Sequence, residues 1–183
     1  MSTNKPSFPK ISGDDLRIAL VASRYNETLV DALVKRVLEV LKENKVSPRN
    51  VELRRVPGAA ELPYVVNMLA ATGQFDCVVA LGVIIAGDTL HHEIIAHGTA
   101  QALTAVGFSS EVPVINGILS VNNLAQAEAR VTGELDRGAE FAHAALEMAR
   151  QKIELIERLD AIEAEEAEED GDDFDPDKFF KNN

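Results

Sequence analysis

The run at residues 78–85, VVALGVII, constrains this chain more than any other stretch. It carries no charge and no polar alternation, so both of its faces must be covered. It is short and rich in β-branched side chains, which favours a strand over a helix. It therefore reads as a buried strand. The run breaks at Ala86-Gly87, a polar turn Asp88-Thr89-Leu90 follows, and then comes the adjacent pair His91-His92. From there to about residue 107 the apolar spacing is helical. The first turn of such a helix presents backbone N–H groups and the positive end of its dipole, so it suits an anion. A histidine beside an anion-binding turn, at the end of a buried strand, is where chemistry is expected.

The other segments repeat this alternation. Strands are expected at 16–22, 51–56 and 112–119. Helices are expected at 28–41, 59–71, 124–131 and 137–162, with breaks at 44–50 and 132–136. Residues 28–41 place Leu29, Ala32, Leu33, Val37, Val40 and Leu41 on one stripe, the mark of an amphipathic helix. Pro63 fits the first turn of its helix, where a missing N–H costs little. Strand following helix in this way predicts an α/β fold with a four-stranded parallel sheet and helices on both faces. Ligands of such sheets bind at the carboxyl ends of the strands. Three loops fall there: SRYNE after the first strand, VPGAAE after the second and AGDTLHH after the third.

The two ends differ from this core of residues 16–163. Residues 1–15 lack periodicity and read as an arm, loosely ordered alone, which could add an edge strand to a neighbouring copy. Residues 164–183 are acidic and broken by Gly171 and Pro176, and read as a disordered tail. Phe174, Phe179 and Phe180 within it would anchor a docking peptide on the sharper reading. The formal net charge of -12 is concentrated between residues 154 and 177, where Arg158 is the only basic residue. The body before it is near neutral, and nothing points to nucleic acid. No apolar run approaches membrane-spanning length, and no signal peptide is expected. The one cysteine, Cys77, rules out an intramolecular disulfide and suits a reducing compartment such as the cytoplasm.

The segments RYN (24–26), VPGAAELP (56–63), ALGVIIAGDTLHHE (80–93), VPVINGILSVNNLAQAEAR (112–130) and RGAEFAHAALEMA (137–149) together resemble the lumazine synthase family. No one of them would suffice; five in series, at family-like spacing across residues 18–149, are specific. The resemblance implies a flavodoxin-like three-layer α/β/α sandwich. It implies the penultimate step of riboflavin biosynthesis, without a metal or redox cofactor. In that step 5-amino-6-(D-ribitylamino)uracil condenses with 3,4-dihydroxy-2-butanone 4-phosphate to 6,7-dimethyl-8-ribityllumazine, releasing phosphate and water. It also implies a homo-oligomer built from pentamers, as a pentamer, decamer or sixty-subunit shell, with each site shared between adjacent subunits. Riboflavin synthase is a partner that it admits.

Carried over residue by residue, the resemblance makes His91 the proton-transfer group, and a histidine titrates in the range this chemistry needs. Tyr25 becomes the stacking aromatic, with Asn26 as a weaker candidate beside it. Ala59 and Ala60 let backbone approach the ligand, and the Glu61 carboxylate accepts ribityl hydroxyls or interacts with the helix dipole. The backbone of Val83, Ile84 and Ile85 reads the pyrimidine edge. Asp88, through its backbone, and Thr89 hold the phosphate, and Arg130 reaches it from the neighbouring subunit with a planar fork of donors. His97 and His143 read as structural or surface residues. A metal site at His91, His92 and Glu93 is disfavoured, because adjacent helical residues point apart.

Four positions depart from the family pattern. Asn116 stands where Phe is frequent, which makes that pocket wall more polar. Arg137 replaces a common Lys-Gly, His92 replaces an aromatic, and Ala86 replaces a frequent Arg. Two other readings stay open: a non-catalytic flavin- or lumazine-binding or shell-forming member of the family, and a generic flavodoxin-like flavin binder. The second would want a Ser/Thr-rich phosphate loop after strand one, which SRYNE is not.

Overall fold

Strand β1, Ile18–Ser23, is buried along its whole length, and β3, Cys77–Ile85, is buried through Val83. They lie side by side in the middle of a four-stranded sheet of order β2-β1-β3-β4, all parallel, with β2 at Val51–Val56 and β4 at Val114–Val121. The order is flavodoxin-like, and the parallel four-stranded sheet is the one expected from the sequence. The description comes from a computed structural model and covers residues 7–171.

Each face of the sheet carries its own apolar cluster. On one face, Leu20, Ala22, Val79 and Leu81 pack against α1, Glu27–Glu43, and α5, Arg137–Gly171. On the other, Ala19, Val21, Val78 and Ala80 pack against α2, Leu62–Ala70, and α3, His91–Ser110. The period-two alternation along β1 and β3 produces this division, since successive side chains point to opposite faces. The short helix α4, Leu124–Val131, follows β4 and is capped by Asn123, whose side chain accepts from Gln126 N at 2.9 Å.

α1 and α5 approach closely because α5 offers small side chains. Ala142, Ala145, Leu146 and Ala149 are fully buried, at i, i+3, i+4 and i+7. Gly138 lies so near α1 that a Cβ there would meet Arg36 Cβ at 2.8 Å. Just ahead of α5, the Asp136 carboxylate takes the Arg36 guanidinium at 3.0–3.1 Å and caps Ala139 N at 3.2 Å.

Several boundaries differ from expectation. The segment at 59–71 begins with a 3₁₀ turn, Ala59–Glu61, and becomes α-helical only at Leu62. β4 begins two residues later than expected and ends at Val121. Its extent follows its pairing with β3, from Val78↔Val114 to Ile85↔Val121, rather than its own hydrophobicity. α5 runs to Gly171, so residues 164–171, expected in a disordered tail, are helical. Ala and Glu dominate that stretch and extend a helix already nucleated on the core. The rest of the expected tail, with Phe174, Phe179 and Phe180, lies outside the described residues.

Residues 7–15 form no strand within this chain and make contacts with its helices. Ile11 joins the α1/α5 cluster, and Phe8 stacks on His143 with ring centroids 4.7 Å apart. Arg150 holds this segment through Asp15, at 2.6 and 3.0 Å, and the Ser12 carbonyl, at 3.1 Å. The guanidinium beside it lowers the Asp15 pKa below the usual carboxylate value.

Candidate active site

A cleft of about 430 Å³ opens at the carboxyl ends of β1, β2 and β3. The three loops singled out in the sequence converge on it. It is lined by Tyr25 and Asn26 after β1, by Gly58 to Glu61 after β2, and by Val83, Ile84, Ile85, Gly87, Thr89 and His91 around the end of β3. Ser23, His92 and Ile95 complete the lining.

The β1–α1 loop is fixed by Asn26. Its backbone is left-handed, with φ of 54°, a conformation Asn tolerates better than most residues. Its side-chain Nδ2 donates to the Val83 carbonyl at 2.8 Å, bracing this loop against β3. Asn26 therefore shapes the cleft as well as lining it. Tyr25, beside it, is 73% exposed with its ring over the cleft mouth. The ring lies in van der Waals reach of Gly58, 3.4 Å from where a Cβ there would stand.

The loop after β2 is closed by Glu61, whose Oε2 accepts from Gly58 N at 2.8 Å. One carboxylate oxygen thus has the structural role that the sequence offered as its plainer reading. Thr99, buried in α3, donates from its hydroxyl to the Ala59 carbonyl at 3.4 Å and ties this turn to the helix opposite.

The turn after β3 carries Thr89 and His91. α3 starts at His91, so Asp88 and Thr89 lie in the turn ahead of the helix rather than in its first turn. The helical ladder begins at the Leu90 carbonyl, which accepts from Glu93 N and Ile94 N at 3.1 and 3.2 Å. The N–H groups before that point face the cleft end of the helix, where an anion is favoured. His91 is exposed, and its backbone N lies 3.5 Å from Thr89 Oγ1. His92 Nδ1 lies 2.9 Å from the Thr89 carbonyl. A carbonyl only accepts, so Nδ1 carries the proton and the ring is a donor to the turn. The sequence comparison, in which His92 stands only as a replacement for an aromatic, gave no sign of this bond.

Of the predicted residues, the cleft gathers Tyr25, Asn26, Ala59, Ala60, Glu61, Val83, Ile84, Ile85, Thr89 and His91. It does not gather Asp88, Asn116, Arg130 or Arg137. Asn116 is exposed on edge strand β4, with its Oδ1 accepting from Ile118 N at 3.1 Å. Arg130, on α4, donates to the Gln126 carbonyl at 2.8 Å. Arg137 opens α5 and pairs with Glu140. No lysine or arginine of the described residues lines the cleft. Among the described residues, no group of three or more His, Cys, Asp or Glu side chains could hold a metal ion. Cys77 opens β3 and is fully buried, where desolvation pushes its thiol pKa far up and leaves it inert.

Sequence reasoning passed over Ser23 and Ile95. Ser23 could have been found as the polar residue that ends an otherwise apolar strand at its ligand-facing end; Ile95 gives no such signal.

Residues 15–152 match the sequence profile of a family described as 6,7-dimethyl-8-ribityllumazine synthase. The chain is 38% identical over 147 residues to the protein of that name from Burkholderia vietnamiensis, covering 80% of this chain and 85% of that one. A Burkholderia ambifaria protein of the same name is also 38% identical, with 80% and 84% covered. One from Burkholderia multivorans is 37% identical with the same coverage.

Proposed function

This chain belongs to the 6,7-dimethyl-8-ribityllumazine synthase family, and from that premise we propose how its cleft performs the family's reaction. The protein is a transferase of riboflavin biosynthesis. It condenses 5-amino-6-(D-ribitylamino)uracil with 3,4-dihydroxy-2-butanone 4-phosphate to 6,7-dimethyl-8-ribityllumazine, with release of phosphate and water. The reading of the site rests on one observation above all: loops from three different strands bring Tyr25, Glu61, Thr89 and His91 to one cleft.

In this reading the flat pyrimidine stacks on Tyr25, and its polar edge meets the backbone of Val83 to Ile85. The ribityl chain runs over Ala59 and Ala60 toward Glu61. Asn26 holds the loop in place. The phosphate of the second substrate sits at the turn of Asp88 and Thr89, where backbone N–H groups and the Thr89 hydroxyl receive it. Condensation of the amine with the ketone, loss of phosphate and ring closure each move a proton. His91, beside the phosphate turn, relays those protons.

Among the described residues of one chain, no lysine or arginine lines the cleft to balance a phosphate. Arg130 of an adjacent subunit supplies that charge, and the Asn116 strand of the same neighbour closes the wall. Arg137 is a further candidate at that boundary. The working form is accordingly a homo-oligomer of pentamers, larger shells included. The single buried Cys77 fits a reducing cytoplasm. Riboflavin synthase, which uses the product, is the partner this assignment suggests.

Purified protein is given both substrates, and lumazine absorbance is followed above the spontaneous rate. No excess rate would reject the assignment. Arg130→Ala should raise the KM for the phosphate substrate far more than for the pyrimidine; equal losses would remove Arg130 from the phosphate site.

A further inference from the structure

Ser23 ends β1, a strand otherwise made of Ile, Ala, Leu and Val. Its side chain follows Ala19 and Val21 onto the α2/α3 face of the sheet, by the alternation of the strand. It is 1% exposed, yet it lines the cleft. Its Oγ has no hydrogen-bond partner among the described residues. Buried hydroxyls are almost always paired, because an unpaired one loses its water without a replacement.

The surroundings show why no protein group pairs with it. On β3 the neighbouring residue is Gly82, which has no side chain. A Cβ at that point would stand 3.3 Å from Ser23 Oγ, 3.5 Å from Leu62 Cδ1 and 3.7 Å from Ile118 Cγ1. On this side the hydroxyl thus faces a glycine with hydrocarbon beyond it, and Ser23 lines the cleft. An alanine would pack equally well there and would avoid the cost of burying the oxygen.

We infer that the Ser23 hydroxyl is a binding group for the pyrimidine substrate, pairing with a ring carbonyl or ring N–H at the floor of the cleft. The inference rests on the proposed lumazine-forming reaction. A hydroxyl both donates and accepts, so it suits a pyrimidinedione edge, where the two kinds of group alternate. Ser23 lies two residues from Tyr25, the proposed stacking ring, and on the strand next to Val83. The phosphate, by contrast, is assigned to the start of α3. The unpaired oxygen is then a cost in the empty protein that is recovered when substrate binds.

Two variants test this. Ser23→Ala removes the oxygen, and Ser23→Cys fills the same space with a weak hydrogen-bonding atom. Both should raise the KM for the pyrimidine substrate about three- to tenfold, the loss expected for one hydrogen bond. Both should weaken direct binding of the lumazine product, titrated by its fluorescence, to a similar degree. The KM for the phosphate substrate should stay within about twofold, and the melting temperature of Ser23→Ala should be unchanged or raised. Unchanged pyrimidine KM and product binding in both variants would overturn the inference. So would a defect in Ala that Cys repairs, which is the signature of packing, or equal losses for the two substrates. A wild-type protein that neither turns over nor binds the product would instead overturn the reaction assignment, and this inference with it.

Discussion

At the scale of single residues, the two adjacent histidines divide the work of one turn. His91 faces the cleft from an exposed position, whereas the His92 ring is held by its bond to the Thr89 carbonyl. Their variants should therefore fail differently. His91→Asn is expected to lower kcat about 10²-fold, at the lower end of what a general acid–base group contributes, with both KM values little changed. Steady-state kinetics check this, and an unaltered kcat would move proton transfer elsewhere. His92→Phe keeps a ring but deletes the donor to Thr89, so the phosphate turn loses its brace. The KM for the phosphate substrate should rise about three- to tenfold while that for the pyrimidine holds. His92→Asn, which offers an amide donor at a similar reach, should restore most of the loss. No recovery with Asn would show that ring shape, not the hydrogen bond, is what position 92 supplies.

At the scale of elements, the same substitution is expected to have opposite signs in two helices. Gly98 lies in α3 with nothing within 4 Å of its missing Cβ, so Gly98→Ala should gain about 0.5–1 kcal/mol from helix propensity. Gly138 faces α1, and the atoms an added methyl would meet are Arg36 Cβ and Cγ, at 2.8 and 2.9 Å. Those atoms lie close to the backbone and cannot swing away, so the helices must separate. Gly138→Ala should cost about 1–3 kcal/mol despite its better propensity. Urea denaturation of both variants tests the pair, and a stabilised Gly138→Ala would mean that the α1–α5 contact is looser than described. The sequence foretold that these helices exist, because apolar periodicity marks which face is buried. It did not foretell how closely two helices approach, which depends on a glycine in one meeting a particular side chain in the other. The ends of elements were obscured for related reasons. The length of β4 is set by its partner strand, and α5 continues beyond the core on Ala and Glu propensity alone. An acidic run without an apolar face was read as disorder, although those residue types also favour a helix. The cleft itself was legible because its residues lie in loops at strand ends. Ser23 and the His92 bond were not, since both depend on where neighbouring elements place a carbonyl or leave a hydroxyl unpaired.

At the scale of the whole molecule, the proposal that a second copy completes the site can be tested directly. β4 is an edge strand, and beside it an apolar groove of about 570 Å³ runs between α3 and α5, with Phe108, Leu155 and Leu159 exposed along it. The proposed phosphate end of the cleft, meanwhile, has no arginine or lysine among the described residues of its own chain. If Arg130 comes from the neighbour, His91→Ala and Arg130→Ala inactivate different halves of each shared site. Assayed with the phosphate substrate well below the raised KM of Arg130→Ala, each homo-oligomer should then be nearly inactive. A mixed oligomer, made by unfolding and refolding the two variants together, should contain sites with both groups intact. At equal amounts, random assembly around a ring gives each site an intact histidine about half the time. It gives that site's neighbour an intact arginine about half the time, so about a quarter of wild-type activity should return. Simple mixing of the folded variants should give none of it until subunits exchange. If His91 and Arg130 instead served the same chain's cleft, every site would carry one defect whatever its neighbours, and refolding together would recover nothing. The experiment thus reads the geometry of the shared site from activity alone, without requiring that the assembly be a pentamer or a larger shell.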